Sequence, residues 1–570
     1  EQHALAAELA EQAGQTDRAA ALLLEMGRAA LQRGALDTAE VALARARGLP
    51  RVDGERWLEI SEALIEVYSW AGKLDPALEV GTLILNALPP SAPRTAEVHL
   101  RLARAAVAAE RWDTATGHLE QVRAFNDAVL RARTDAVAAE VAIGQRNPTA
   151  AEELARSALD AAEIQGLPEV ACEALEVLGR CARLSDLERA RSLFDQALEV
   201  ATEHDLPLRR IRALHERGTL DLLNSNDAAG LQSARDLAMA AGAPALTAVL
   251  DIQIASAIFA FWRPDEMTPV AERAAETARL LGLRLVRSMA LLWQASAHAQ
   301  KGERRQMEEL IGEALRDADM DAAAMAFGLC RAVLALVEDD RASALAHLDA
   351  AEDLAGRQDA SNPWAFRGLW ALLRNVEDVD GNAARARLRS SGATVYWANR
   401  AWLRLADAVA VGRTGDISAA EACFADGDEA LGTTPWLRHL SRRLVAEAAL
   451  ADGWGEPVAW LRSAAAFFAE TGYDRLGTGC RSLLRRAGEP VPRRGRGEST
   501  VPPELRALGV TSREVDVLWL VAEQLGNREI GARLYLSSRT VEKHVASLLA
   551  KTGVGDRREL ATYAARLLPD

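Results

Sequence analysis

Apolar residues recur at three- and four-residue intervals through almost all of the first 486 positions, in stretches separated by short polar breaks. In DLERARSLFDQALEVATEHD, Leu187, Ala190, Leu193, Phe194, Ala197, Leu198 and Ala201 fall on one face at helical spacing, with Glu188, Arg191 and Asp195 on the other. Proline, glycine and β-branched runs that mark strands are scarce, so the pattern predicts helices and almost no sheet. The breaks themselves recur. Asp37, Asp75, Asp113, Asn147, Asp186, Asp227, Asp265, Glu303, Asp340, Asp380, Asp416 and Gly455 occupy comparable turn positions, 34 to 41 residues apart, the length of two helices and their turns. Most carry a side chain able to cap a helix. A helix pair of this kind cannot bury its stripe alone. Stacking on its neighbours does so, giving an open superhelix whose concave face is a large surface for a partner or ligand.

The turns GALDTA at 34–39 and GKLDPA at 72–77 resemble those of tetratricopeptide repeats, which makes residues 1–486 a tetratricopeptide-like array. Residues 487–503, AGEPVPRRGRGESTVPP, hold four prolines and three glycines, so no helix continues through them and they read as a linker reaching at most about 60 Å. Residues 504–570 contain four short amphipathic segments. Thr511 with Glu514 forms a T-x-x-E capping box before the first, and Asp556 with Glu559 a D-x-x-E version before the last, about Asp556 to Leu568. Between them lie two helices, 527 to about 535 and 538 to about 551, with a very short turn near Leu536 and Ser537. Ile530, Leu534, Leu536, Val541 and Val545 take the inward positions, and Gly531 lets the helices approach closely. One face of the second helix stays free. Its residues Arg539, Glu542, Lys543, Ala546, Ser547 and Ala550 are mostly polar or small and suit a major groove about 12 Å wide. Glu542 has a second reading, as a partner of Arg539 three residues back on the same face. His544 reads as structural.

Composition and charge sharpen this division. With 570 residues, 49% apolar and 26% charged, the chain can bury several cores. Its formal net charge of −15 is uneven, because residues 485–570 carry 15 basic and 11 acidic side chains and the remainder carries −19. The tail can approach a polyanion that the body would repel. No uncharged apolar run reaches the roughly 18 residues that span a bilayer, and no secretory signal pattern opens the chain, so a cytoplasmic address without membrane partners is expected. Position 1 is Glu, inside a helical pattern, which reads as a piece of a longer protein.

Several chemistries lack their residues. Lys73, the one lysine after a glycine, is followed by Leu74, so there is no Walker A site; neither H-E-x-x-H nor G-x-S-x-G occurs. Cys172, Cys181, Cys330, Cys423 and Cys480 are odd in number and never in C-x-x-C spacing, which argues for buried thiols rather than disulfides or zinc. The scattered histidines, such as His215 and His347, read as surface or satisfied residues. Asp378, Asp380 and Asn382 begin like a calcium loop, but Ala383 stands where glycine is needed, leaving a capped turn. No enzyme activity, metal or cofactor is expected within this chain. Seven tryptophans, Trp364, Trp370, Trp397, Trp402, Trp436, Trp454 and Trp460, crowd the last quarter of the array. Interhelical packing is their ordinary use, and Trp364, Trp402 and Trp436 are the candidates for a ligand or partner site.

The blocks T-x-R-E, N-R-E-I, S-x-R-T-V-E-x-H-V and K-x-G-V-x-x-R, within residues 509–561, resemble the C-terminal DNA-binding domain of bacterial LuxR-type transcription regulators. Departures are Val510 for the usual Leu, Gly526 where Ser commonly caps, and Thr552 for Leu. The resemblance implies base reading by Glu542, Lys543 and Ala546. It implies phosphate contacts from Ser538, Arg539, Thr540, Ser547 and Lys551, with Asn527 and Arg528 in the same DNA-binding set, and dimerisation through the last helix. A long helical array before such a domain resembles the large ATP-binding LuxR regulators, which implies an absent N-terminal ATPase, a small-molecule inducer or protein on the array, a homo-oligomer on double-stranded DNA, and RNA polymerase as a partner. The resulting fold expectation is all-α, a tetratricopeptide-like superhelix followed by a four-helix LuxR-type helix-turn-helix domain. The expected function is a sequence-specific transcription regulator, most simply an activator; the alternative is a helical-repeat scaffold whose tail does not read DNA.

Overall fold

The computed structural model describes residues 2–183, 185–316, 320–355, 366–490, 501–534 and 536–567, without the side chains of Gln2, His3, Pro503 and Ala532. Every regular element among them is a helix, and the chain divides into two compact units, Glu1–Ala487 and Gly488–Asp570.

In the first unit the helices alternate between an inner and an outer layer, and the twelve turn positions mark where outer helices begin. Asn147, Asp186 and Asp416 accept a backbone N–H of the first turn from Ala150, Arg189 and Ala419. Asp37, Asp75, Asp113 and Asp265 lie one residue inside the helix, where a carboxylate meets the positive end of the helix dipole. Proline opens many helices at its first positions, as at Pro93, Pro168, Pro207 and Pro244, where its missing N–H costs nothing. In the Leu187–Glu203 helix, Ala190, Phe194, Ala197 and Ala201 are buried and Leu187, Leu193 and Leu198 partly so. The Phe194 ring fills the space over Gly179 of the preceding helix, where a Cβ would lie 2.4 Å from the ring.

The array coils back on itself. Leu36 N–H donates to Ala241 C=O at 2.8 Å, and Gly72 packs so tightly against Ala245 that an added Cβ would lie 2.6 Å from that residue's methyl carbon. Further along, Arg146 pairs with Asp321 at 2.7 Å, Arg400 donates to the Asn224 carbonyl at 2.7 Å, and Tyr473 donates to the Gln300 carbonyl at 3.1 Å. These last three pairs are 175, 176 and 173 residues apart, so one superhelical turn takes about five helix pairs and successive turns touch.

Trp402 and Trp436, two of the three candidate ligand residues, are packed between helices. Trp402 is 4% exposed and donates to Ser441 Oγ at 3.0 Å; Trp436 is 3% exposed and stacks on Trp262 with ring centroids 3.2 Å apart. The cavity between them is about 20 Å³, too small for a ligand. Trp364 lies outside the described residues. Cys172, Cys330 and Cys480 are buried, and Cys181 and Cys423 are half-buried; all five are free thiols. Met320–Val337 is long and apolar enough to span a bilayer by composition, although it contains Asp321 and Arg331, and 67% of it is buried in the array. A π-helical segment, Ala326–Arg331, interrupts it.

Candidate nucleic-acid interface

The second unit comprises helices Ser512–Ala522, Asn527–Leu534, Ser538–Thr552 and Arg557–Ala565, preceded by a short Pro503–Ala507 helix that the four sequence segments did not include. Its core is Leu505, Val510, Val515, Leu518, Ile530, Val541, Val545, Leu548, Leu560 and neighbours, with Leu534 and Leu536 packed against it. Val510, a departure from the family pattern, is thus an ordinary core side chain. Gly531 carries the tight turn: Leu536 N–H donates to its carbonyl at 2.8 Å, and a Cβ there would lie 2.6 Å from the Leu536 carbonyl oxygen. Because backbone blocks that space, Gly531→Ala is expected to destabilise the unit by about 1 to 3 kcal/mol. Faster amide exchange across Asn527–Leu534 than in the parent chain checks it.

Helix starts are set locally. Thr511 and Glu514 form the reciprocal capping box. Gly526 has no side chain to cap with, but its N–H donates to Glu529 Oε2 at 2.6 Å, retaining half of a box. Asp556 accepts from Arg558 and Glu559 N–H, while the Glu559 carboxylate takes Gly555 N–H at 2.7 Å, one residue before the expected partner. Ser537 caps the Ser538–Thr552 helix, and its hydroxyl lies 2.7 Å from Thr540 Oγ1.

On the Ser538–Thr552 helix, the buried seam Val541, Val545, Leu548 leaves Ser538, Arg539, Glu542, Lys543, Ala546 and Ala550 exposed on the other side. Arg528, on the preceding helix, is exposed as well. No Arg539–Glu542 ion pair forms among the described residues, so both side chains remain available. His544 is half-buried, on the flank.

Lys551, Ser547 and Asn527, also expected to contact DNA, are engaged within the domain. Lys551 Nζ sits 2.8 and 2.6 Å from the two Glu514 carboxylate oxygens, and Ser547 Oγ donates to Glu514 Oε1 at 2.6 Å. Asn527 Oδ1 accepts from Arg557 Nη1 at 2.6 Å, and Arg557 Nη2 donates to the Leu525 carbonyl at 2.7 Å. Burial alone would raise the Glu514 carboxyl; hydrogen bonds from Lys551, Ser547 and Thr511 outweigh it and bring the pKa down to about 2. Arg513 completes the bracing, donating to the Leu534 carbonyl at 2.5 Å and pairing with Asp516 at 3.2 Å. Glu514, Arg513 and Arg557 fix the angle of the exposed helix. They stand in the blocks T-x-R-E and K-x-G-V-x-x-R, which were the available signal, but their spacing said nothing about which partner they hold.

Residues 509–564 match the family described as bacterial regulatory proteins, luxR family. Transcriptional regulatory protein LiaR of Bacillus subtilis is 40% identical over 81 residues, 14% of this chain and 36% of LiaR. Putative HTH-type transcriptional regulator Rv0890c of Mycobacterium tuberculosis is 29% identical over 212 residues, 36% of this chain and 23% of that protein. The chain thus spans only about a quarter to a third of the length of these curated relatives. Among solved structures, a Rap protein complexed with competence and sporulation factor aligns with 59% of this chain and 98% of its own, at 14% identity and a TM-score of 0.46. Over residues 509–564, at the end of a tetratricopeptide-like helical array, this chain carries a helix-turn-helix domain of the luxR family.

Proposed function

We propose that the chain is the DNA-reading and signal-receiving portion of a transcription regulator. The Ser538–Thr552 helix enters the major groove of double-stranded DNA. Lys543 donates to guanine O6/N7, Glu542 accepts from cytosine N4 and Ala546 meets a thymine methyl. Arg528, Ser538, Arg539 and the Thr540 backbone at the helix N-terminus hold phosphates. The observation that carries this reading is the exposed polar and small face of that helix, backed by a buried seam and by the Glu514 and Arg557 braces. Dimerisation through the Arg557–Ala565 helix fits two half-sites, and an upstream ATPase, an activator role and contact with RNA polymerase complete the reading. Titration of the 570-residue chain against genomic fragments at rising salt tests it. Affinity should fall linearly in logarithm with log salt for a subset of fragments bound at least a thousandfold above random DNA. Equal affinity for all fragments would leave the scaffold alternative standing.

A further inference from the structure

The inner helices of the first superhelical turn, from Gly54–Ala71 through Pro244–Ala260, line a half-open cavity of about 690 Å³. The return of the array upon itself between Leu36 and Ala241 and between Gly72 and Ala245 closes its wall. Seven arginines and seven glutamates line it, so it is formally neutral and favours neither a net anion nor a net cation. The arginines are already tethered. Arg104 and Arg209 share Glu173, Arg212 bridges Glu140 at 2.6 Å and Glu176 at 2.8 Å, and Arg183 reaches Glu216 at 3.4 Å.

The tethers leave bonding capacity unused. The Nε atoms of Arg104, Arg183 and Arg209 and Nε2 of His215 are buried without a hydrogen-bond partner among the described residues. His215 is therefore neither a surface nor a satisfied histidine, as its isolation in sequence had suggested. Glu66 and Glu169 also line the cavity, and neither has a bonded cation among the described residues. Burial pushes the Glu66 carboxyl above its ordinary range, against the pull of Arg101 and Arg104 and with a push from Glu169. Folding alone does not favour buried donors without acceptors, and the half-buried Glu66 and exposed Glu169 carboxylates add acceptor capacity that no cation of the described residues takes up. A bound molecule that offers both signs resolves both.

We propose that this cavity binds a short peptide with free termini, its ammonium placed between Glu66 and Glu169 and its carboxylate and carbonyl oxygens accepting from Arg104, Arg183 and Arg209. The apolar wall of Trp70, Leu100 and Val249 accommodates its side chains. A neutral sugar would leave Glu66 without a counter-charge, a polyamine would leave the guanidinium donors unmet, and a dianion would face two carboxylates. The part such a peptide plays in regulation rests on the DNA-reading proposal, whereas the binding itself does not, and its test contains no DNA.

The full chain is incubated with an equimolar pool of random tetrapeptides with free termini, with the same pool N-acetylated, and with the same pool C-amidated. Retained peptides are identified by mass spectrometry after ultrafiltration, and their affinities are measured by calorimetry. Retention of a subset of the free pool is expected, with at least tenfold weaker binding after either N-acetylation or C-amidation. Glu66→Gln should weaken the free peptides at least tenfold and leave the residual binding of acetylated ones unchanged, without lowering the melting temperature, because the half-buried Glu66 carboxylate has no bonded cation to lose. Arg183→Gln should weaken the free peptides and spare the C-amidated ones. Equal retention of free and acetylated pools, no retention of either, or undiminished binding by Glu66→Gln would overturn the proposal.

Discussion

Replacing Glu514 with alanine is expected to cost the C-terminal unit about 3 kcal/mol, because it leaves the half-buried Lys551 ammonium and the Ser547 hydroxyl without their acceptor. A unit of this size rarely has more than about 3 to 5 kcal/mol in hand, so the loss approaches its whole stability. The cause is the convergence on one carboxylate of Lys551, Ser547 and the Thr511 cap, which joins the Ser512–Ala522 helix to the exposed Ser538–Thr552 helix. The same carboxylate sets an acid dependence. Its pKa is about 2 in the folded unit and about 4.3 in an unfolded chain, so its contribution is complete above the unfolded value and is lost as pH falls from about 4 to about 2. The loss amounts to about 3 kcal/mol over that window. Hydrogen exchange of the full chain, followed in peptides covering 512–552, should show Glu514→Ala near the fully exchanged limit at neutral pH, and the parent chain loosening in acid. Protection unchanged by the substitution would mean that the carboxylate is not the brace described above.

Lys543→Ala should weaken the preferred DNA sequence by about 1 to 3 kcal/mol, a 5- to 150-fold loss, and barely affect random DNA. Arg528→Ala, a backbone contact in this reading, should weaken both alike and lower the salt slope by about one. The contrast matters more than either number, because a base contact carries sequence information and a phosphate contact does not. Fluorescence anisotropy on one preferred and one scrambled duplex at several salt concentrations separates the two. Parallel losses for Lys543→Ala on both duplexes would remove it from the base-reading set.

Much of this architecture is legible along the chain because its causes are local. The stripe from Leu187 to Ala201 and the capping positions from Asp37 to Asp416 act within one helix or one turn, so spacing alone reveals them. The helix-turn-helix was equally readable, since Gly531 answers to Leu536 five residues away and Val541 and Val545 fall on the buried face at helical spacing. Contacts between residues distant in sequence were not legible. Lys551 and Ser547 look like solvated helix positions until Glu514, more than thirty residues earlier, is placed opposite them. Trp402 and Trp436 invited a binding role through their chemistry, yet Ser441 and Trp262 absorb them. Spacing could not reveal the charged cavity at all. Most of its arginines and glutamates sit at ordinary polar positions of five different helices, and only the superhelical turn brings them around one cavity.

The contact of each superhelical turn with the next changes what kind of solid the array is. A repeat protein whose units touch only their immediate neighbours behaves as a one-dimensional chain, able to fray from either end one unit at a time. Here the Arg146–Asp321, Asn224–Arg400 and Gln300–Tyr473 bonds tie each unit to another five pairs away, and Leu36 is held by Ala241. Losing an end unit therefore strips contacts from the middle of the array, and melting cannot proceed as an unzipping. The solenoid gains the all-or-none character of a globular domain, and a disturbance at one point of its wall is shared with units far away in sequence.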